Sequence, residues 1–217
     1  MDTKLLVANQ LIQSQPLDKR ESYFNSLDSM SEIFLDSSKY FIDKRDYNIY
    51  SIVKIGDQEW LGENLRYKGV RHYENPNNPN LFYGCLYNWE TAQTACPDGW
   101  HLPSDEEWNT LEIALGMHPA DATNTGYRGN HGTSIKSLTG WNSNGNGDNS
   151  SGFNVFPAGE YFSGSFYNFG YAAYFWSATE YDATYTWYRF LYRSNTGVDR
   201  NDYVKSGGFS CRYIKNR

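Results

Sequence analysis

The density of aromatic residues late in the chain is its tightest constraint. From Tyr161 to Tyr192, fifteen of 32 residues are Phe, Tyr or Trp. Extended backbone alternates its side chains between two faces, so these rings cannot all enter one core. Phe175, Trp176, Trp187 and Phe190 are the expected core members. Tyr167, Tyr171, Tyr181, Tyr185, Tyr192 and Tyr203 are expected on the surface, among the short polar residues Asp182, Ser194, Asn195, Asp199 and Asn201. Adaptable paratopes use that mixture, setting rigid amphipathic rings beside small hydrogen-bonding groups. Exposed aromatic patches mark interaction sites. The alternative is a tyrosine-rich, half-exposed sheet with no partner.

The charge balance narrows the partner. The 217 residues hold 25 Asp and Glu against 19 Lys and Arg, a net charge of −6 with no basic run. Phosphate neutralisation of a nucleic acid is not expected from such a chain. Mean hydropathy is −0.72, and no apolar stretch approaches the length of a membrane span. Asn9 and Gln10 interrupt the first apolar run, which does not read as a secretion signal. Three cysteines, Cys85, Cys96 and Cys211, allow one bridge and a free thiol, or three reduced thiols. With no Cys-x-x-Cys pair and four scattered His, neither a structural zinc site nor another cofactor is expected.

Residues 1–42 differ from the rest: they contain no Trp and no Gly. Leu5, Leu6, Leu11 and Ile12, then Tyr23, Phe24, Leu27, Met30, Ile33 and Phe34, recur at helical spacing. Two amphipathic helices broken near Pro16 are predicted. Short helices are marginal alone, so they must dock, either on their own domain or on another chain. Docking on another chain would build a homo-oligomer or an assembly. From residue 43 the pattern becomes short strands and turns. Residues 49–65 read as a hairpin turning at Gly56-Asp57. Residues 87–96 read as a short helix. Ser104 and Glu107 form a capping box, with Gly116 as the stop. The tracts FNVFPAGEYF, AAYFWSATE, TWYRFLYR and GGFSCRYIK read as strands. Helices early and antiparallel strands late give α+β.

Several residues with chemical potential have simpler explanations. Asp105, Glu106 and Glu107 sit where a helix N-terminus favours negative charge, so capping is preferred to acid–base catalysis. His101, between Trp100 and Leu102, reads as packed and hydrogen-bonded, with no nucleophile beside it. Asn146, Asp148 and Asn149 offer oxygen donors, but an Asn/Gly turn accounts for them and no metal site is assigned. Gly145 and Gly147 lack the strand-to-helix context of a phosphate loop.

Five motifs occur in order: VKIGDQEWLGENLRY (53–67), YGCLYNWETAQTACPDGWHLPSDEEW (83–108), GFNVFPAG (152–159), FWSATE (175–180) and GGFSCRYIK (207–215). Together they resemble the Fibrobacter succinogenes major paralogous domain, a bacterial branch of the C-type-lectin-like fold. The resemblance covers residues 43–217. It implies a lectin-like domain with two short helices and antiparallel strands, preceded here by a helical docking segment. The Gly-Trp-His-Leu-Pro phrase is also similar to formylglycine-generating enzymes, which use two late cysteines; here Cys211 alone lies late. The Glu-Pro-Asn or Gln-Pro-Asp loop of calcium-dependent lectins is absent. The resemblance further implies a Cys96–Cys211 bridge. The family pattern ends Gly-Phe-Ser-Val-Arg-Cys, however, so Cys211 stands two residues early, about 6.5 Å along a strand.

These readings describe a non-enzymatic recognition module, shown outside the cell, on a cell surface or on a virion. Its expected ligand is a protein, with a glycan as the alternative. Some relatives are diversified by retroelements that mutate adenines, and the Asn, Asp, Tyr and Ser of 181–206 fit that composition. Two other classes stay open. A thiol or metal enzyme would need Cys85 and Cys211 in one open cleft with lowered pKa. A structural assembly subunit would act through residues 1–42.

Overall fold

The computed structural model describes residues 3–29, 36 and 38–217. Helices α1 (Thr3–Gln13) and α2 (Leu17–Ser29) flank Pro16; proline has no N–H to extend the ladder of α1. Met30, Ile33 and Phe34 of the expected helical pattern lie outside the described residues. Strand β1 (Tyr40–Asp43) pairs antiparallel with β2 (Asn48–Ile55). The expected boundary at residue 43 therefore falls at the end of a strand already in the sheet. Strand β3 (Gln58–Leu61) follows β2 through Gly56, whose φ of +59° is the left-handed region a tight turn asks for.

The described part of the N-terminal segment docks on its own domain. Ala8 and Ile12 of α1 bury against Ile49 of β2, with Tyr23, Phe24 and Leu27 of α2 packed around them. The buried Asn9 side chain imitates a neighbouring strand: its Nδ2 donates to Ile49 O and its Oδ1 accepts from Ile49 N, both at 2.9 Å. Asn9→Ala leaves the Ile49 amide buried without that acceptor, a loss of about 1–3 kcal/mol. Urea unfolding measures it, and an unchanged midpoint would show that the contact carries no weight.

Helix α3 (Trp89–Thr94) and the two-residue strand β4 (Trp100–His101) lead into α4 (Asp105–Ala114). At Gly99, φ is +84° and a Cβ there would meet nothing within 4 Å, so conformation rather than space calls for glycine. The capping box at the start of α4 is complete: Ser104 Oγ accepts from Glu107 N, and Glu107 accepts from Ser104 N. The chain then forms β5 (Gly126–Arg128), α5 (Gly132–Ile135), the hairpin β6 (Glu160–Phe162) and β7 (Ser165–Tyr167), β8 (Ala172–Glu180), β9 (Tyr185–Tyr192), β10 (Val198–Val204) and β11 (Ile214–Lys215).

The strands make a five-stranded sheet ordered β1-β2-β3-β11-β4, a four-stranded sheet ordered β5-β10-β9-β8, and the β6–β7 pair. The fold is α+β, with antiparallel pairing throughout the named ladders. Two expected strands are much shorter than their tracts. FNVFPAGEYF is extended only from Glu160, because Asn154 and Gly159 take positive φ and Pro157 intervenes. GGFSCRYIK joins neighbours by isolated bridges before β11. The core between the sheets centres on Trp60, fully buried, with Trp108 at 5.0 Å and Phe153 at 5.5 Å between ring centroids.

Candidate recognition face

The four-stranded sheet has two chemically different faces. On the inner face, beneath α4, arginines are buried against carboxylates. Arg189 of β9, 0% exposed, donates to Glu112 Oε1 at 2.5 Å and to Asp105 Oδ1 at 2.8 Å. Arg128 of β5 makes two bonds of 2.7 Å to Glu112, and Arg200 of β10 grips Asp105 from Nε and Nη2. Burial pushes both carboxyls up, but Arg200 and Arg189 outweigh it at Asp105. Arg189, His131 and Arg128 do so at Glu112, and both pKa values fall below the ordinary ones. Asp105 is thus an ion-pair partner as well as a first-turn acid.

The outer face is built of rings. Register places Tyr127, Asp199, Phe190 and Tyr174 in one row across β5, β10, β9 and β8. Asn201, Tyr188 and Trp176 form the next row, then Tyr203 opposite Thr186. Tyr192 extends the face at its other end, opposite Ala172. Phe209 lies beneath, 4.1 Å from Trp176, 4.9 Å from both Tyr174 and Tyr203, and 5.4 Å from Tyr188. Trp176 and Phe209 are buried, Tyr188, Phe190, Tyr192 and Tyr203 are half-buried, and Tyr127 and Asn201 are exposed. Two carboxylates sit among the rings. Glu160 Oε2 accepts from Tyr203 Oη at 2.9 Å. Asp199 has a buried Oδ1 with no hydrogen-bond partner, and burial pushes its pKa up. Burial and Asp199 together push the neighbouring Tyr127 phenol up to about 12.

The structure distributes the sequence-expected residues over more than one surface. Tyr192, Asp199, Asn201 and Tyr203 share the outer face. Tyr181 and Tyr185 flank the β8–β9 turn, where Tyr181 packs edge-on against Trp187 at 5.1 Å, on the inner-face side of the sheet. Asp182 organises that turn, accepting from Thr184 N at 2.7 Å and Tyr185 N at 2.8 Å. Tyr171 meets the outer face at its Tyr192 end, with the Arg193 guanidinium 4.9 Å from the Tyr171 ring and 5.9 Å from Tyr192. Ser194 and Asn195 continue that corner, and Asn195 Oδ1 accepts from Gly197 N. Tyr167, 48% exposed, stands apart on the β6–β7 hairpin. Phe190 and Trp187, expected in the core, are half-buried. Tyr127, Tyr174 and Tyr188 are outer-face residues that the sequence pattern did not single out; β-alternation within TWYRFLYR puts Tyr188 in step with Tyr192 and is the available signal.

All three cysteines are free thiols, so the expected Cys96–Cys211 bridge is not formed. Cys211 is fully buried. Burial pushes its thiol well above the ordinary value and that of Cys85 up to about 11. His101 lies between Asn216 Oδ1 at 2.6 Å and Glu107 Oε1 at 2.9 Å. In the 142–149 loop, Asn146 accepts from Trp141 N, Asp148 from Ser150 N and Asn149 from Asn154 N, which is turn bonding.

An α+β domain that presents a ring-lined antiparallel sheet and brings its last strand back between β3 and β4 defines the class. Residues 53–215 match the Fibrobacter succinogenes major domain, and the chain belongs to that family. No curated protein and no solved structure matches it. Among the described residues no helix is long and apolar enough to cross a membrane.

Proposed function

We propose that this protein is a non-enzymatic recognition module of the C-type-lectin-like kind, and that it binds a protein ligand on the outer face of the four-stranded sheet. The observation that carries the proposal is the group Tyr127, Asp199, Phe190, Asn201 and Tyr188, exposed or half-buried beside the buried Tyr174 and Phe209 and the half-buried Tyr203, which Glu160 and Phe162 of β6 contact. Aromatic rings at the centre of an interface supply most of its energy, and polar neighbours supply fit. The carboxylates of Asp199 and Glu160 suit a partner that offers N–H groups or cations. The pairing of β11 with β3 and β4 supports the lectin-like assignment, since it closes the domain end to end. Thiol catalysis has weak support, because both Cys85 and Cys211 are held protonated by burial. The proposal includes display outside the cell or on a virion.

An array of surface proteins and glycans provides the ligand, and two double variants then locate the site. Tyr127→Ala with Asn201→Ala changes exposed side chains of the outer face and is expected to weaken binding about 30-fold or more, the loss of one hot spot. Tyr181→Ala with Tyr185→Ala is expected to change it less than threefold. Full binding by the first variant would overturn the site.

A further inference from the structure

A second feature lies far from the sheet face and does not depend on the reading above. A cavity of about 540 Å³ opens between the N-terminal helical pair and the domain, lined by Arg20 of α2, by Arg45, Asp46 and Asn48 around the β1–β2 turn, and by the loops near Arg66 and Asn78. That volume suits a small molecule.

The charges around it do not cancel. Lys68 is paired with Glu74 at 2.6 Å, and Arg45 with Asp43 at 2.6 Å. Asp46 accepts from the amide and the side chain of Asn48 at 3.0 and 2.6 Å. Arg20 and Arg66 form no ion pair among the described residues. Arg20 donates to the carbonyls of Gln13, Gln15 and Asp46. Arg66, 5% exposed, stacks 4.1 Å from the Tyr50 ring centroid and donates from Nε to Asn48 Oδ1 and from Nη2 to Asn9 Oδ1 and Ile49 O. Asp46 and the buried Glu63 both lie within electrostatic reach of Arg66, but neither carboxylate contacts a guanidinium of Arg20 or Arg66. A buried guanidinium that no carboxylate contacts directly is costly, and an anion in the cavity would relieve that cost.

Two of the cavity-lining residues also carry a buried polar atom without a partner. Arg66 Nη1 is a donor with no acceptor, and Asn78 Oδ1 is an acceptor with no donor. We propose that this cavity binds a small hydroxylated anion, its carboxylate or phosphate on Arg66 and Arg20 and a hydroxyl on Asn78. Guanidinium groups match either oxyanion in a two-bond fork. The helical pair outside the family domain would then complete a binding site, beyond covering β2.

Calorimetric titration of the full chain at constant ionic strength tests this, with sodium glucuronate and glucose 6-phosphate as probes and glucose and acetate as controls. The expected result is saturable one-to-one binding of at least one probe and none of either control. The probe that binds tells carboxylate from phosphate. Arg20→Gln and Asn78→Ala, at partly exposed positions, and Arg66→Lys are each expected to weaken that binding about tenfold or more, the loss of a hydrogen bond to a charged group. No saturable heat with either anion, acetate binding as tightly as glucuronate, or unchanged affinity in folded Arg20→Gln and Asn78→Ala would overturn the proposal.

Discussion

Arg189→Met is expected to destabilise the fold by about 3–5 kcal/mol, the cost of removing one partner from a buried ion pair. The guanidinium serves five acceptors at once: Glu112 Oε1, Asp105 Oδ1, Asp105 O, Asn109 Oδ1 and, at 3.4 Å, Tyr188 O. The Glu112 side chain is 1% exposed, so solvent cannot replace what is lost. Methionine fills a similar volume, which confines the loss to charge and hydrogen bonding. The same change alters the pH response. Asp105 and Glu112 have folded pKa values below their ordinary 3.8 and 4.5. A depressed carboxylate pKa contributes stability above the unfolded value, and that contribution is lost as pH falls through the folded one. The parent is therefore expected to lose stability below about pH 4, and the variant to lose less over that interval because it has less to lose. Urea unfolding at pH 7 and pH 3.5 measures both effects. A change under about 1 kcal/mol at pH 7 would show that Arg128 and Arg200 suffice alone.

Phe209→Ala is expected to cost about 3–5 kcal/mol as well, through lost transfer energy and the cavity left behind. The ring is fully buried and touches Tyr174, Trp176, Tyr188 and Tyr203, which form or support the outer face. Because those rings lean on it, their positions are expected to loosen together, and ligand binding to fall with stability. Phe209→Leu fills most of the space and is expected to cost less than half as much. Comparing the two by thermal melting and by binding separates support of the face from simple core volume. Binding retained at parental affinity by a folded Phe209→Ala would show that the platform is not held from below.

Local signals are legible wherever chemistry is confined to neighbours in the chain. The Gly56-Asp57 hairpin, the break at Pro16 and the Ser104–Glu107 capping box depend on contacts within a few residues, and each is in the structure. Strand β10, VDRNDYV, carries no such signal. Its inward positions include Arg200, buried against Asp105 rather than as an apolar side chain, so hydrophobic alternation is silent there. Strand β1 is hidden inside a segment of helical spacing, because pairing with β2 is decided by residues further along the chain.

The tyrosine-rich tract by itself determined that rings would face solvent, since alternation forbids burying all of them. Which rings share a surface was decided only by register between strands. Tyr192 and Tyr203 meet on one face because β9 and β10 pair Phe190 with Asp199, while Tyr181 and Tyr185 go to the turn. The three thiols follow the same division. Spacing along the chain allowed a bridge, whereas tertiary packing places Cys211 in the core as a free thiol. Sequence determines what a segment can satisfy within itself; partners distant along the chain exist only after folding brings them together.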